Sequence, residues 1–157
     1  MDEKQIAECI RPYVRDFIGV FACNERPISL TNRYYVLNTK RRGTEGEHWI
    51  AVNIQNGKIE VFDSLATFDQ NTCIMKFIND LNFNTILYNK LRIQSVTSNV
   101  CGMYTVCFII YRSAGMCFNN FLKLFNRNDF VQNDFLIVQM FKNLYLNHTF
   151  LNNIIIM

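Results

Sequence analysis

Cys101 opens the run Cys-Gly-Met-Tyr-Thr-Val-Cys-Phe-Ile-Ile and directly follows Ser98, Asn99 and Val100. Ser and Asn favour helix N-caps, so the spacing predicts a helix that starts at Cys101. A thiol in a first helical turn meets unpaired backbone N–H groups and the positive end of the helix dipole. Its pKa then falls below the free value of ~8.5, and the nucleophilic thiolate becomes available. Gly102, just behind, lets another backbone approach without a Cβ in the way. These are the makings of a thiol nucleophile, which also needs a base and a group to orient that base.

The chain has two histidines, His48 and His148. His48 opens a segment with Asn56-Gly57 at its centre, the strongest short-range hairpin signal. With that pair as a two-residue turn, Gln55 faces Lys58, Ile54 faces Ile59, and Ile50 falls opposite Asp63. One hairpin face then carries His48, Ile50, Val52, Ile54, Ile59, Val61 and Asp63; the other carries Trp49, Ala51, Asn53, Lys58, Glu60 and Phe62. Asp63 becomes a diagonal neighbour of His48, about 7–8 Å away by Cα and closer at the side chains. The pair is poised to hydrogen-bond, although pattern alone also allows a coincidental polar edge to an apolar face. His148 follows an expected helix with no acid at a useful spacing and receives no role; Asn147-His148-Thr149 is a formal glycosylation sequon without a secretory route.

The elements that must position these residues follow from periodicity. Ile6, Ile10, Tyr13, Val14 and Phe17 predict a helix over residues 2–18, kinked at Pro12. Residues 19–30 read as irregular and Arg33–Asn38 as a strand. Ile74, Phe77, Ile78 and Leu81 predict a helix over 72–81, and 91–95 a short strand. Residues 101–116 form a helix apolar all round, hence central and buried, and two more helices follow near 120–125 and 130–146. A helix, then a hairpin with strands, then helices is an α+β order. Without repeats, linkers or low-complexity segments, residues 1–157 are expected to form a single domain.

Composition narrows the function classes. Half of the 157 residues are hydrophobic and 18% are charged, enough for a core and too apolar for disorder. Met1 is followed at once by Asp2 and Glu3, and no apolar stretch approaches 18 residues, so neither a signal peptide nor a membrane span is expected. The protein is expected to be intracellular. Of six cysteines (Cys9, Cys23, Cys73, Cys101, Cys107 and Cys117), no two form a CxxC pair, and no histidine sits at a ligand spacing from a cysteine pair. Most of the six therefore read as buried thiols, with Cys107 and Cys117 in the core of the central helix and no disulfide or metal required. The net charge of +3 is mild, and Lys40-Arg41-Arg42 is its one dense cluster. That cluster, in a polar segment ending Gly43-Thr44-Glu45-Gly46, is either a solvated loop or a contact for a polyanion. The abundance of asparagine, as in Asn119-Asn120 and Asn152-Asn153, is attributed to an AT-rich coding sequence.

Three blocks carry a family resemblance: Glu47-His48-Trp49-Ile50-Ala51, Val61-Phe62-Asp63-Ser64 and Gln94-Ser95-Val96-Thr97-Ser98-Asn99-Val100-Cys101-Gly102-Met103-Tyr104. In order and in the spacing of seven from Gln94 to Cys101 they resemble the adenain group of cysteine proteases, with an upstream match over residues 17–38. These are the adenovirus maturation proteases and their relatives in polinton-type transposons and large DNA viruses, distant kin of the SUMO and ubiquitin-like-protein proteases. The resemblance spans residues 17–114 and implies a papain-like/adenain-like fold, with a mixed β-sheet and a central buried helix starting at the nucleophile. It implies His48 as base to the Cys101 nucleophile, Asp63 as its orienting acid where adenoviral members carry Glu, and Gln94 as oxyanion donor with the Cys101 N–H. Trp49 would shield the catalytic pair from water, or serve equally well as a core aromatic.

The function implied is cleavage of viral structural or precursor proteins during particle maturation, in the host nucleus or cytoplasm, with packaging in the virion. The alternative is deconjugation of a SUMO- or ubiquitin-like protein, and a third reading is a binding module on the same fold, which the four intact site residues oppose. A glycine before the scissile bond is expected, in an extended protein segment. A folded modifier needs a docking face of roughly 800 Å², for which the chain has little length to spare, and Val100 stands where SUMO proteases tend to carry Asp. The adenoviral enzymes use DNA and a disulfide-linked peptide as activators. Cys73 lies in the interval of the peptide-linking cysteine but at another spacing, so no cofactor is required by the sequence, DNA or an activating peptide stays an open option, and a monomer is expected.

Overall fold

The computed structural model describes residues 1–25, 33–43 and 48–155, with side chains described through residue 146. Glu47 of the first motif block, residues 44–46 of the polar segment and the side chain of His148 lie outside the described residues.

Helix α1 (Glu3–Ile10) starts at a capping box in which Asp2 and Gln5 each accept the other's backbone N–H, at 2.8 and 2.9 Å. It is shorter than the periodicity predicts. Pro12 has no N–H to bond back along the helix, and the chain turns instead into strand β1 (Phe17–Ala22). The expected helix over 2–18 and irregular stretch from 19 are thus corrected: Phe17 begins a strand, and the ladder slips by one residue between Phe17 and Gly19. Gly19 has φ 156° there, a backbone geometry suited to a bulge.

Strand β1 pairs in parallel with β2 (Arg33–Asn38), β2 runs antiparallel to β3 (Trp49–Gln55), and β3 antiparallel to β4 (Lys58–Phe62). Asn56 and Gly57 have φ of 52° and 73°, both positive as a type I′ turn requires, and the register is Gln55 to Lys58 and Ala51 to Phe62. Helix α2 (Thr72–Asp80) follows, N-capped by the Asn71 side chain on the amides of Cys73 and Ile74. Strand β5 (Ile86–Tyr88) then joins β4 in parallel and completes a five-stranded mixed sheet in sequential order. The strand expected at 91–95 is irregular chain; the strand lies five residues earlier.

Helices α3 (Cys101–Ser113), α4 (Phe118–Leu122) and α5 (Phe130–Ile155) cover one face of the sheet together with α1. Their core is aromatic: Phe62 stacks on Phe108 with centroids 4.5 Å apart, and Phe121 meets both edge-on. On the opposite face α2 packs Ile74, Phe77 and Ile78 against Leu37, Ile50, Val52, Ile59 and Val61. The hairpin is therefore buried on both sides. Its Asn53 and Glu60 tolerate this because Arg112 of α3 forks onto Glu60 at 2.9 and 3.0 Å, while the Asn53 amide donates to the same carboxylate at 2.8 Å. This α+β architecture, with α3 buried at its centre and starting at Cys101, is the expected class.

The cysteines depart from expectation. Cys23 and Cys73 form a disulfide between the end of β1 and the first turn of α2, closing a sequence separation of 50. Cys117 is exposed beyond α3, and Cys107 is buried within it. Arg42 is committed to Glu25 and Glu3, at 2.6 and 2.5 Å, so this member of the basic cluster is neutralised locally. Among the described residues no helix is long and apolar enough to cross a membrane.

Candidate active site

His48 immediately precedes β3 and Asp63 immediately follows β4, so the hairpin register brings both to one end of the sheet. His48 Nε2 lies 2.5 Å from Asp63 Oδ1. The other ring nitrogen, Nδ1, is left for Cys101, with which His48 shares a hydrogen bond. Cys101 begins α3, but the helix is capped at Val100 without a side-chain hydrogen bond. Ser98 and Asn99 are not the caps that residue type suggests; Ser98 is used by Gln94.

Backbone N–H groups of Trp49 and Gly102 also reach the Cys101 thiol. Burial alone would raise the pKa of Cys101, yet the bond and charge of His48, followed by these two amides, hold it below the ordinary thiol value. Burial would likewise lower the pKa of His48, but the bonds to Asp63 and Cys101 outweigh it and raise the imidazole to about 9. For Asp63, burial is again overcome, here by His48 and by the Thr67 and Leu65 amides, and its carboxyl is held below the usual range. The three groups thus favour a thiolate, an imidazolium and a carboxylate together near neutral pH.

Asp63 is fully buried and receives more than the imidazole. Leu65 N–H donates to Oδ1 at 2.9 Å and Thr67 N–H to Oδ2 at 2.8 Å. Ala66, between them, takes φ 53°, a left-handed geometry that a non-glycine residue adopts at a cost and that keeps the turn closed on the carboxylate. The Asn89 side chain donates to the Asp63 carbonyl and accepts its N–H, at 2.6 and 3.0 Å.

Gln94 is buried and lines the same cleft as His48 and Cys101. Ser64 Oγ donates to its Oε1 at 2.6 Å, which orients the amide so that Nε2 is the donor end. That nitrogen gives its protons to the carbonyl and the hydroxyl of Ser98, each at 3.1 Å. The structure therefore brings His48, Asp63, Gln94 and Cys101 to one place, with the Gln94 amide engaged by Ser98.

The cleft has a volume of about 620 Å³, and its walls include Met1, Thr39, Asn71, Val96 and Asn99. Trp49 packs on the α3-side core, as the core reading expects, and also lines the cleft. Its indole N–H donates to the Met1 carbonyl at 3.1 Å. A Cβ placed on Gly102 would stand 3.1 Å from Met1 Cβ and 3.3 Å from its sulfur, so Met1 fills the space that Gly102 leaves.

Residue type and spacing alone point to no role for Ser64, Asn89, Thr67 or Met1. Ser64 follows Asp63 in the second motif block, which is a usable signal. Asn89 and Met1 act from outside every block and had none.

No protein-family model matches the chain, and no curated protein matches it in sequence. Among solved structures it is similar to two crystal structures of the ASFV pS273R protease. The selenomethionine form shares 19% identity at a TM-score of 0.38, over 71% of this chain and 42% of that one. The other shares 20% identity at a TM-score of 0.39, over 70% and 42%. The chain spans about two-fifths of that protease's length.

Proposed function

We propose that this protein is a cysteine endopeptidase that works through Cys101, His48 and Asp63, with Gln94 as an oxyanion donor. One observation carries the reading: a buried thiol at a helix start shares a hydrogen bond with an imidazole whose other nitrogen is 2.5 Å from a buried carboxylate. The opposed shifts of Cys101 and His48 are those of a reactive ion pair.

The Cys101 thiolate attacks the substrate carbonyl carbon, and the carbonyl π electrons move onto oxygen. The Cys101 N–H and the Gln94 amide donate to that oxyanion, for which Nε2 exchanges a Ser98 acceptor for the substrate. One such donor typically accounts for ~10²–10³ in rate. His48 then protonates the leaving amine as the C–N bond breaks, leaving a thioester on Cys101. Neutral His48 next takes a proton from water; the hydroxide attacks the thioester, and the acid product leaves as the thiolate re-forms. Asp63 stays ionised throughout and keeps Nδ1 facing sulfur.

The substrate class we propose is an extended protein segment with glycine before the scissile bond, in viral structural or precursor proteins cut during particle maturation. Mass spectrometry of a peptide library incubated with the protein tests it. Cleavage after small residues that vanishes in Cys101→Ala is expected. Turnover of a SUMO- or ubiquitin-coumarin reporter, with indifference to peptides, would favour deconjugation by the same chemistry.

A further inference from the structure

The segment that carries Gln94 has no sheet or helix of its own, yet it is gripped on both sides by one helix. Phe130, Asn133 and Asp134 lie at positions i, i+3 and i+4 of α5 and so share one face of it. The Arg92 guanidinium stacks 4.2 Å over the Phe130 ring. Asn133, 2% exposed, donates its amide to the Ile93 carbonyl at 2.9 Å and to the Asn126 carbonyl at 2.7 Å, while accepting Asn126 N–H at 2.8 Å. The Asp134 carboxylate accepts Ser95 N–H at 3.2 and 3.4 Å. It also accepts the hydroxyl of Tyr104, one turn into α3 from Cys101, at 3.0 Å. From the other side the Ser64 carbonyl accepts the amides of Ile93 and Gln94 at 3.0 and 3.1 Å.

Residues 92, 93 and 95 are thus held by α5, and only the side chain between them turns into the cleft. We infer that Asn133 and Asp134 are positioning residues for the oxyanion step. They fix the backbone on either side of Gln94, and Asp134, through Tyr104, ties that backbone to the helix that carries Cys101. The inference rests on the endopeptidase reading above. An oxyanion donor displaced by an ångström forfeits much of its effect, because the stabilisation depends on its being pre-aimed.

The test is Asp134→Ala, with Asp134→Asn as the conservative partner, on a peptide that the wild-type protein cleaves. Iodoacetamide labelling of Cys101 is the control, because alkylation creates no oxyanion. Asp134→Ala is expected to lower kcat by about tenfold or more, with KM and the labelling rate within about twofold of wild type. Asp134→Asn keeps an acceptor for Ser95 N–H and is expected to recover part of the loss. On a Gln94→Ala background the Asp134→Ala change should add little, since the two act as a unit. An unchanged kcat, full additivity with Gln94→Ala, or hydrolysis and labelling falling together would overturn the positioning role while leaving the endopeptidase reading intact. A wild-type protein that cleaves no peptide overturns that reading and this inference with it.

Discussion

His48 and Asp63 are separated by fifteen residues and joined by a 2.5 Å contact, and the whole of that separation is one hairpin. Its turn has two residues of positive φ, so its register has a single solution, and the residues just outside the two strands must meet. Asp63 is then locked from behind by Asn89 and by the amides of Leu65 and Thr67. An imidazole bonded to so constrained a carboxylate stays charged well above its ordinary range.

Hydrolysis should therefore show a bell-shaped pH profile. The acid limb follows the lowered pKa of Cys101, and the alkaline limb falls near pH 9 as His48 loses the proton that the leaving amine needs. Asp63→Asn removes the charge that raises His48 and is expected to move the alkaline limb to lower pH and reduce kcat. Stopped-flow assays from pH 5 to 10, about the range where imidazoles and thiols titrate, measure both limbs. An alkaline limb unmoved in Asp63→Asn would remove Asp63 from the mechanism.

Selective alkylation is the second expectation. At pH 6–7, where an ordinary thiol of pKa ~8.5 is mostly protonated, Cys101 should be labelled before any other cysteine. Burial raises the thiol pKa of both Cys107 and Cys9, and Cys23 and Cys73 are joined. Exposed Cys117 is the natural comparison. His48→Ala should shift the Cys101 labelling midpoint upward toward the free thiol value. Peptide mapping after short pulses reads this directly, and equal rates at Cys101 and Cys117 would argue against the ion pair.

The Cys23–Cys73 bridge closes a loop of about fifty residues around β2, β3 and β4. A cross-link of that span is expected to contribute about 4 kcal/mol by restricting the unfolded chain. Urea unfolding of Cys73→Ser, or of the wild type under dithiothreitol, should show a loss of that order. Asn71, beside the bridge, caps α2 and also lines the cleft, so reduction should weaken peptide binding as well. Coincident melts with and without reductant would rule the bridge out in solution.

Gly102→Ala probes the wall formed by Met1. Alanine suits a helix better than glycine by ~1 kcal/mol, so α3 itself should persist. The new methyl would stand 3.1 Å from Met1 Cβ, so Met1, whose carbonyl the Trp49 indole holds, must give way slightly. Trp49 is the single tryptophan, so its emission should shift in the variant while far-ultraviolet circular dichroism stays constant. An unshifted emission would place Met1 elsewhere in solution.

What the sequence by itself determined is local. The Asn56-Gly57 turn dictates a register, the register pairs His48 with Asp63, and the apolar run from Cys101 makes a buried helix, because the turn and the helix are each set by residues adjacent along the chain. Strand β1 escaped because its bulge at Gly19 interrupts the alternation and because its parallel pairing with β2 has no tight turn to fix a register. Residues 91–95 alternate like a strand, but their backbone groups are taken by Ser64, Asn133 and Asp134, so no ladder forms. Asparagine abundance reads as coding bias in the sequence, yet Asn71, Asn89 and Asn133 each hydrogen-bond the backbone of another segment. Only the tertiary structure decided that Cys23 meets Cys73, that Met1 fills the space behind Gly102, and that α5 holds the loop of Gln94. All three join segments far apart along the chain, and such contacts form only where packing of the two cores brings those segments together, which no local pattern encodes.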